Sequence, residues 1–127
     1  MKPGTNAINW FEISVADMPR AKKFYESIFD MKMQEVEMMN MPMAFFPPDG
    51  SNGTVGGALI KSDMHTPSAD GVKVYLNGNP DLQQVLDKVP GAGGQVTMPK
   101  TLIDAQTGYM AFFTDPEGNA IGLHSNG

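Results

Sequence analysis

A four-residue motif, Met-Ala-Phe-Phe, occurs twice in this 127-residue chain, at residues 43–46 and again at residues 110–113. Each copy leads into an acidic segment that contains proline and glycine, first at 47–50 and then at 114–118. An apolar run that ends in such a segment is typical of a β-strand followed by a turn. The repeat predicts two copies of one small unit, each too short to bury a good core alone. We therefore expect the copies to pack together, with a binding site between them.

The correspondence continues upstream of the motif. An alternating strand opens each half, and its apolar residues recur at a separation of 61: Phe11, Ile13 and Val15, then Val72, Val74 and Leu76. Asp17 predicts the N-cap of a first helix, and Asn79 with Pro80 predicts the start of a second. Three strands should follow each helix, near 31–38, 42–47 and 55–61 and near 95–103, 109–114 and 120–125, with a turn at 49–53. The order strand, helix and three strands thus occurs twice.

Composition narrows the possible partners. Nine basic and fourteen acidic residues leave a net charge of −5, which opposes binding to nucleic acid or to an anionic membrane. This charge mildly favours a cationic ligand; the alternative is that it only keeps the protein soluble. The absence of cysteine excludes disulfides and thiolate metal sites. No apolar run reaches the roughly 18 residues of a membrane-spanning helix, and no secretory signal is visible. A cytoplasmic protein is expected.

Two segments resemble a known family. Residues 15–25, with the sequence Val-Ala-Asp-Met-Pro-Arg-Ala-Lys-Lys-Phe-Tyr, and residues 115–119, Asp-Pro-Glu-Gly-Asn, are similar to turns of the vicinal oxygen chelate superfamily. Its members include glyoxalase I, extradiol dioxygenases, fosfomycin-resistance enzymes and bleomycin-resistance proteins. The resemblance covers about residues 7–125. It implies an α+β fold in which two tandem βαβββ units form a curved mixed sheet around a cleft, with the helices outside, and it implies a homodimer.

We expect one domain over residues 1–127. Its first unit should span about residues 7–62 and its second about residues 71–125. The polar, turn-rich segment between them is the predicted linker, residues 63–70.

The resemblance also locates the positions where metal-using members hold a divalent ion. Those members take His, Gln or Glu ligands from the first and last strand of each unit. Counted from the two similar segments, these positions fall at Trp10, Ala58, Gly71 and Gly122. None of these side chains offers an imidazole or a carboxylate to a metal. We therefore predict neither a metal site nor a cofactor, with a displaced divalent-metal site as the alternative.

The candidate ligand-binding residues follow from strand alternation and from the proposed cleft: Trp10, Glu12, Lys73, Tyr75, Met110, Phe112, Gly122 and His124. Glu12 and His124 are the catalytic candidates, since a carboxylate and an imidazole can transfer protons or hold a metal. Alternatively, Glu12 and Lys73 form an ion pair that lines a wet groove. His65 lies in the predicted linker, and we expect it to be a solvated loop residue.

Three functions remain open. The leading hypothesis is a metal-free protein similar to glyoxalases and bleomycin-resistance proteins that binds a small organic molecule in its cleft. A second is a lyase or dioxygenase of the same superfamily that uses a displaced metal at Glu12 and His124. A third is a protein-interaction module, because six of the eleven methionines lie between residues 31 and 43 and could form a contact surface.

Overall fold

Two four-stranded sheets of the same connectivity organise the chain. The structure, a computed structural model, describes residues 1–47 and 53–127, so most of the predicted turn at 49–53 lies outside the described residues. The first unit contains β1 (Trp10–Ser14), α1 (Met18–Phe29), β2 (Gln34–Met38), β3 (Met41–Phe45) and β4 (Gly56–Ile60). The second contains β5 (Tyr75–Asn77), α2 (Gln83–Leu86), α3 (Val89–Ala92), β6 (Gln95–Asp104), β7 (Gly108–Thr114) and β8 (Ala120–Ser125).

Both sheets are mixed. The strand order is β1-β4-β3-β2 in the first sheet and β5-β8-β7-β6 in the second. The first strand of each unit runs parallel to the last, and the other neighbours are antiparallel. This arrangement confirms the predicted α+β class with βαβββ order, and it leaves β1 and β5 as edge strands.

Helix α1 forms where the sequence predicts it. The Asp17 side chain accepts a hydrogen bond from the backbone N–H of Arg20 at 3.1 Å, and Pro19 lies in the first turn. The helix ends at Phe29, and the C-cap residue Asp30 adopts the left-handed conformation with φ 50°. One stripe of its surface is buried: Met18, Ala21, Phe24, Tyr25 and Ile28. This stripe faces the core because its residues recur at helical spacing.

The second helical segment differs from the prediction. It consists of two four-residue helices, α2 and α3, because Pro90 lies in the first turn of α3 and cannot donate a backbone hydrogen bond to continue α2. The predicted cap at Asn79 and Pro80 is wrong. These residues precede the helix and are joined by a cis peptide bond, and the side chain that accepts from the backbone N–H of Gln83 belongs to Asp81.

Strand pairing also corrects the register between the two halves. In the first sheet, Ala58 of β4 pairs with Glu12 on one side and with Phe45 on the other. In the second sheet, Gly122 of β8 pairs in the same way with Tyr75 and with Phe112. Phe45 and Phe112 are the same position of the repeated motif, so Glu12 corresponds to Tyr75 at a separation of 63. The predicted separation of 61 is therefore wrong for the first strands. Trp10 corresponds to Lys73, and Gly71 precedes the strand.

One hydrophobic core serves both units. It contains buried residues of α1, β1, β3 and β4 together with residues of α2, α3, β7 and β8. The ring of Phe24 in α1 lies 5.7 Å from the ring of Phe113 in β7, centroid to centroid. No helix in the described part of the chain is long and apolar enough to cross a lipid bilayer.

The Met-rich segment forms the β2–β3 hairpin. Met39 and Asn40 make its two-residue turn, with φ values of 52° and 62°. Positive φ at both positions suits the right-handed twist of a hairpin. Met43 is buried against Ala58 and Ile60 in a second, smaller apolar cluster, whereas Met38 and Met39 are exposed.

Candidate functional site

A groove of about 830 Å³ runs between the edge strands of the two sheets. Its polar walls come from equivalent positions of the two units: Trp10, Glu12 and Ser14 on β1, and Lys73, Tyr75 and Asn77 at and before β5. Within each wall these residues share one side of the strand because alternate residues point the same way. The apolar residues between them line the groove as well: Phe11, Ile13, Val74 and Leu76. Of the eight predicted ligand-binding residues, the groove brings together four: Trp10, Glu12, Lys73 and Tyr75.

The β1 wall combines an aromatic ring with a carboxylate. The Trp10 side chain is 36% exposed, and its ring packs edge-on against the ring of Phe45 at a centroid distance of 5.4 Å. One oxygen of Glu12, Oε1, lies 3.0 Å from Nε2 of His65. The other ring nitrogen of His65, Nδ1, lies 2.6 Å from the hydroxyl of Ser62. These contacts fix the Glu12 carboxylate in one orientation beside the groove.

The expectation that His65 is a solvated loop residue is wrong. His65 is half-buried and connects the segment between the units to β1 through Glu12. The same segment is held further along by Ser68, whose backbone N–H donates to the Asn119 side chain at 2.9 Å. Thr66 and Ser68 of this segment line the groove. The segment therefore forms part of the site's wall.

The β5 wall carries the groove's cation. The ammonium group of Lys73 donates to the backbone oxygen of Ala69 at 2.6 Å. No ion pair joins Lys73 to Glu12 among the described residues, contrary to the alternative drawn from the sequence. Tyr75 is half-exposed, and its ring lies 5.3 Å from that of Phe112. It also covers Gly122, where a Cβ atom would come within 2.7 Å of the tyrosine ring.

The other four predicted residues lie on the face of the second sheet that points away from the core. Phe112 and Gly122 pair across β7 and β8, as do Met110 and His124. None of these four lines the groove as the described residues define it. The ring nitrogen Nε2 of His124 lies 2.7 Å from the backbone oxygen of Thr107. Glu12 and His124 thus have different partners, and no described hydrogen bond joins them as a catalytic pair.

The positions that hold a divalent ion in metal-using relatives do not fit one here. With the corrected register these positions are Trp10, Ala58, Lys73 and Gly122. Indole, methyl and ammonium groups have no lone pair to give to a metal. The Tyr75 ring also occupies the space that a longer side chain at residue 122 would need. Within residues 1–47 and 53–127, no group of three His, Asp or Glu side chains is placed to hold a metal ion.

The turn at residues 115–119 holds the two units together beside the groove. Asp115 accepts hydrogen bonds from the backbone N–H groups of Glu117 and Asn119 and from the hydroxyl of Tyr25. Asn119 donates to the backbone oxygen of Ser14 at 2.7 Å. Burial, reinforced by the negative charge of Asp115, raises the pKa of Tyr25 well above its usual value. Because Ser14 lies on β1, this turn fixes the β1 wall relative to the second unit.

The paired βαβββ sheets with a groove between their edge strands define a vicinal oxygen chelate fold. The sequence pattern agrees: the model of the Glyoxalase/Bleomycin resistance protein/Dioxygenase superfamily matches residues 7–123. The chain belongs to this superfamily. The resemblance inferred from residues 15–25 and 115–119 is confirmed.

Curated relatives and solved structures agree with this assignment. The chain is 31% identical over 125 residues to "Putative glyoxylase CFP32" of Mycobacterium bovis, an alignment that covers 91% of this chain and 44% of the relative. The chain thus spans less than half the length of that relative. A glyoxalase/bleomycin resistance protein from Albidiferax ferrireducens has a TM-score of 0.68 at 17% identity, covering 94% of this chain and 98% of that one. Glyoxalase I from Zea mays has a TM-score of 0.66 at 21% identity, covering 92% and 43%.

Proposed function

We propose that the chain binds a small organic molecule in the groove between β1 and β5, without a divalent ion at the positions used by metal-dependent relatives. One observation carries this proposal: Trp10 and Lys73 occupy equivalent positions on the two walls, where neither can bind a metal but both can contact a ligand. An indole ring stacks on flat organic groups, and an ammonium group binds oxygen atoms. The names of the relatives, glyoxylase and glyoxalase, support a small organic ligand.

Ligand screening by thermal unfolding tests the proposal. A compound that binds only the folded chain at 100 times its dissociation constant adds about 2.7 kcal/mol of stability, which raises the melting temperature by several degrees. We expect hits that retain their effect after treatment with a chelator. Trp10→Ala should weaken them at least about tenfold, because it removes a ring from the groove wall. Leu102→Ala is the matched control, since Leu102 is exposed and lies outside the groove.

Two results would contradict the proposal. One is a set of hits whose affinity does not change in Trp10→Ala, which would place their site elsewhere. The other is a stoichiometric divalent ion in the purified protein that is lost in His124→Ala. That result would favour the alternative enzyme with a displaced metal site at Glu12 and His124.

We also propose that the protein is a homodimer that pairs through the outer faces of its sheets. Support comes from the first sheet, where Met41 and Phe45 are partly exposed. Both pack beside the small buried cluster around Met43. Light scattering should give twice the chain mass. Replacing Met39 and Met41 with Glu puts charges on this sheet and its hairpin turn, and it should shift the protein to a monomer. A dimer that persists in that variant would contradict pairing through the first sheet.

A further inference from the structure

Charge is unevenly distributed along the groove. Among its described lining residues, Lys73 is the only Lys or Arg and Glu12 is the only Asp or Glu. The two lie on opposite walls, and no ion pair within 4.0 Å joins them in the described part of the chain. A ligand in the groove therefore meets a positive charge at β5 and a negative charge at β1.

The two charged groups have different kinds of partner. Oε1 of Glu12 is occupied by His65, which itself contacts Ser62. The Lys73 ammonium uses one of its three N–H donors on the Ala69 oxygen and has no described carboxylate partner. That single contact of 2.6 Å orients the ammonium and leaves two donors for a ligand. Among the described contacts, Glu12 therefore faces an ionisable imidazole and keeps only Oε2 without a partner, whereas Lys73 faces only a neutral carbonyl.

From these contacts we propose that the groove selects ligands with a carboxylate or similar oxyanion on a flat apolar body, and that Lys73 binds the anion. This inference rests on the proposed function and names its ligand class. The apolar body would contact the rings of Trp10 and Tyr75, two residues that are 36% and 50% exposed and therefore accessible. The cation thus stands at a position where metal-using relatives place a metal ligand.

The inference reverses the ligand charge expected from composition. The net charge of −5 favours a cationic ligand only through the averaged field of the whole protein. At physiological ionic strength that field is screened over about 8 Å, whereas a contact between an ammonium and a carboxylate is direct. The local arrangement around Lys73 therefore decides which charge binds.

Three probes of the same shape test the inference: phenylacetate, phenylacetamide and phenethylamine, titrated by calorimetry into the whole chain. Phenylacetate should bind most tightly. Its affinity should fall about tenfold or more in Lys73→Met, the size expected from losing a charge-assisted hydrogen bond. Raising the salt concentration should weaken phenylacetate more than phenylacetamide, because only the former is charged.

Lys61→Met is the matched control. Lys61 is exposed and lies outside the groove, so the variant changes the net charge equally without touching the wall. It should bind phenylacetate like the unmodified chain. Circular dichroism checks that both variants are folded. Lys73→Gln is a second variant that removes the same charge.

Each remaining outcome has a definite meaning. Equal affinities for the three probes, tighter binding of phenethylamine, or full phenylacetate affinity in the two Lys73 variants would overturn the inference while leaving the groove as a ligand site. If none of the probes binds, aromatic carboxylates are excluded as the ligand class. The proposed function is then tested separately, by whether the thermal-shift hits persist with a chelator and weaken in Trp10→Ala.

Discussion

At the scale of single residues, Tyr25 shows how a buried polar atom joins the two units. Its side chain is fully buried, and its hydroxyl donates to Oδ2 of Asp115 at 2.7 Å. Burial is the main cause that raises the pKa of this hydroxyl well above 10.0, and the negative charge of Asp115 is the next. The phenol therefore ionises more readily in the unfolded chain than in the folded one. Its contribution to stability is complete below about pH 10 and is lost as the pH rises through the folded pKa.

Tyr25→Phe should lower the free energy of unfolding by about 1–3 kcal/mol at pH 7, because Asp115 loses a buried hydrogen-bond donor. Above pH 10 the same variant should lose less stability with pH, by up to about 1.4 kcal/mol per pH unit, because it removes the ionising group. Urea unfolding between pH 7 and 11 measures both effects. Parallel pH curves for the two proteins would show that the Tyr25 hydroxyl does not contribute to alkaline unfolding.

Some site residues are visible in the sequence and others are not. Four residues could be placed on the groove because they lie on or just before the first strand of each unit: Trp10, Glu12, Lys73 and Tyr75. Strand alternation alone was not sufficient, since it also selected four residues of β7 and β8 that do not line the groove. His65 could not be placed. It lies in a turn-rich segment without periodicity, and its partner Glu12 is 53 residues away in sequence. A contact of that kind arises only from the tertiary fold.

At the scale of elements, the N-terminus of α1 is completed by a residue of the other unit. Oε1 of Glu117 accepts hydrogen bonds from the backbone N–H groups of Ala16 and Asp17, at 2.5 and 2.8 Å. Its other oxygen accepts from the Arg20 guanidinium at 2.6 Å. The Glu117 side chain is fully buried even though Arg20 is half-exposed. A negative charge here satisfies free N–H donors and complements the helix dipole.

Glu117→Gln should destabilise the protein by roughly 2–4 kcal/mol, because an amide nitrogen would face either Arg20 or the two backbone N–H groups, all of which are donors. Chemical denaturation at pH 7 measures the change. Glu35→Gln is the control. Glu35 is exposed and pairs with Lys22 at 3.3 Å on the surface, so its loss should cost less than about 1 kcal/mol. Equal effects of the two substitutions would contradict the role assigned to Glu117.

Element positions were predictable to different degrees in the two halves. The first helix could be predicted from Asp17 and the apolar stripe of α1. The second helical segment is divided at Pro90, and its stripe of apolar residues does not reveal that break. The separation of 63 between β1 and β5 could not be distinguished from 61. A shift of two residues leaves every side chain on the same face of a strand, so only the pairing with β8 decides the register.

At the scale of the whole molecule, the main hydrophobic core is shared between the two units, and the first unit alone holds only the small cluster around Met43. Phe24 and Tyr25 of the first unit pack against Phe113 of the second, and Asp115 and Glu117 bind α1. The repeat in the sequence predicted this dependence, since a unit of some 60 residues buries a smaller share of its surface than a larger domain does and is only marginally stable alone. Which residues make the contact was not predictable from the repeat, because the two copies contribute different elements to it.

Residues 1–70 expressed alone should therefore lack a cooperative thermal transition, since the rings of α1 would face water. Mixing this fragment with residues 71–127 should restore part of the α-helical signal in circular dichroism. Amide dispersion in NMR spectra provides an independent measurement. A sharp unfolding transition of the first fragment by itself would show that its core is sufficient without the second unit.

The corrected register has a consequence for how any guest can lie in the groove. Were the two halves identical, rotation by half a turn would map one wall onto the other, and a molecule could dock in two equivalent orientations. Instead the counterpart of Trp10 is Lys73, and the counterpart of Glu12 is Tyr75. The two walls of the groove are therefore not equivalent, so we expect the proposed ligand to bind in a single orientation.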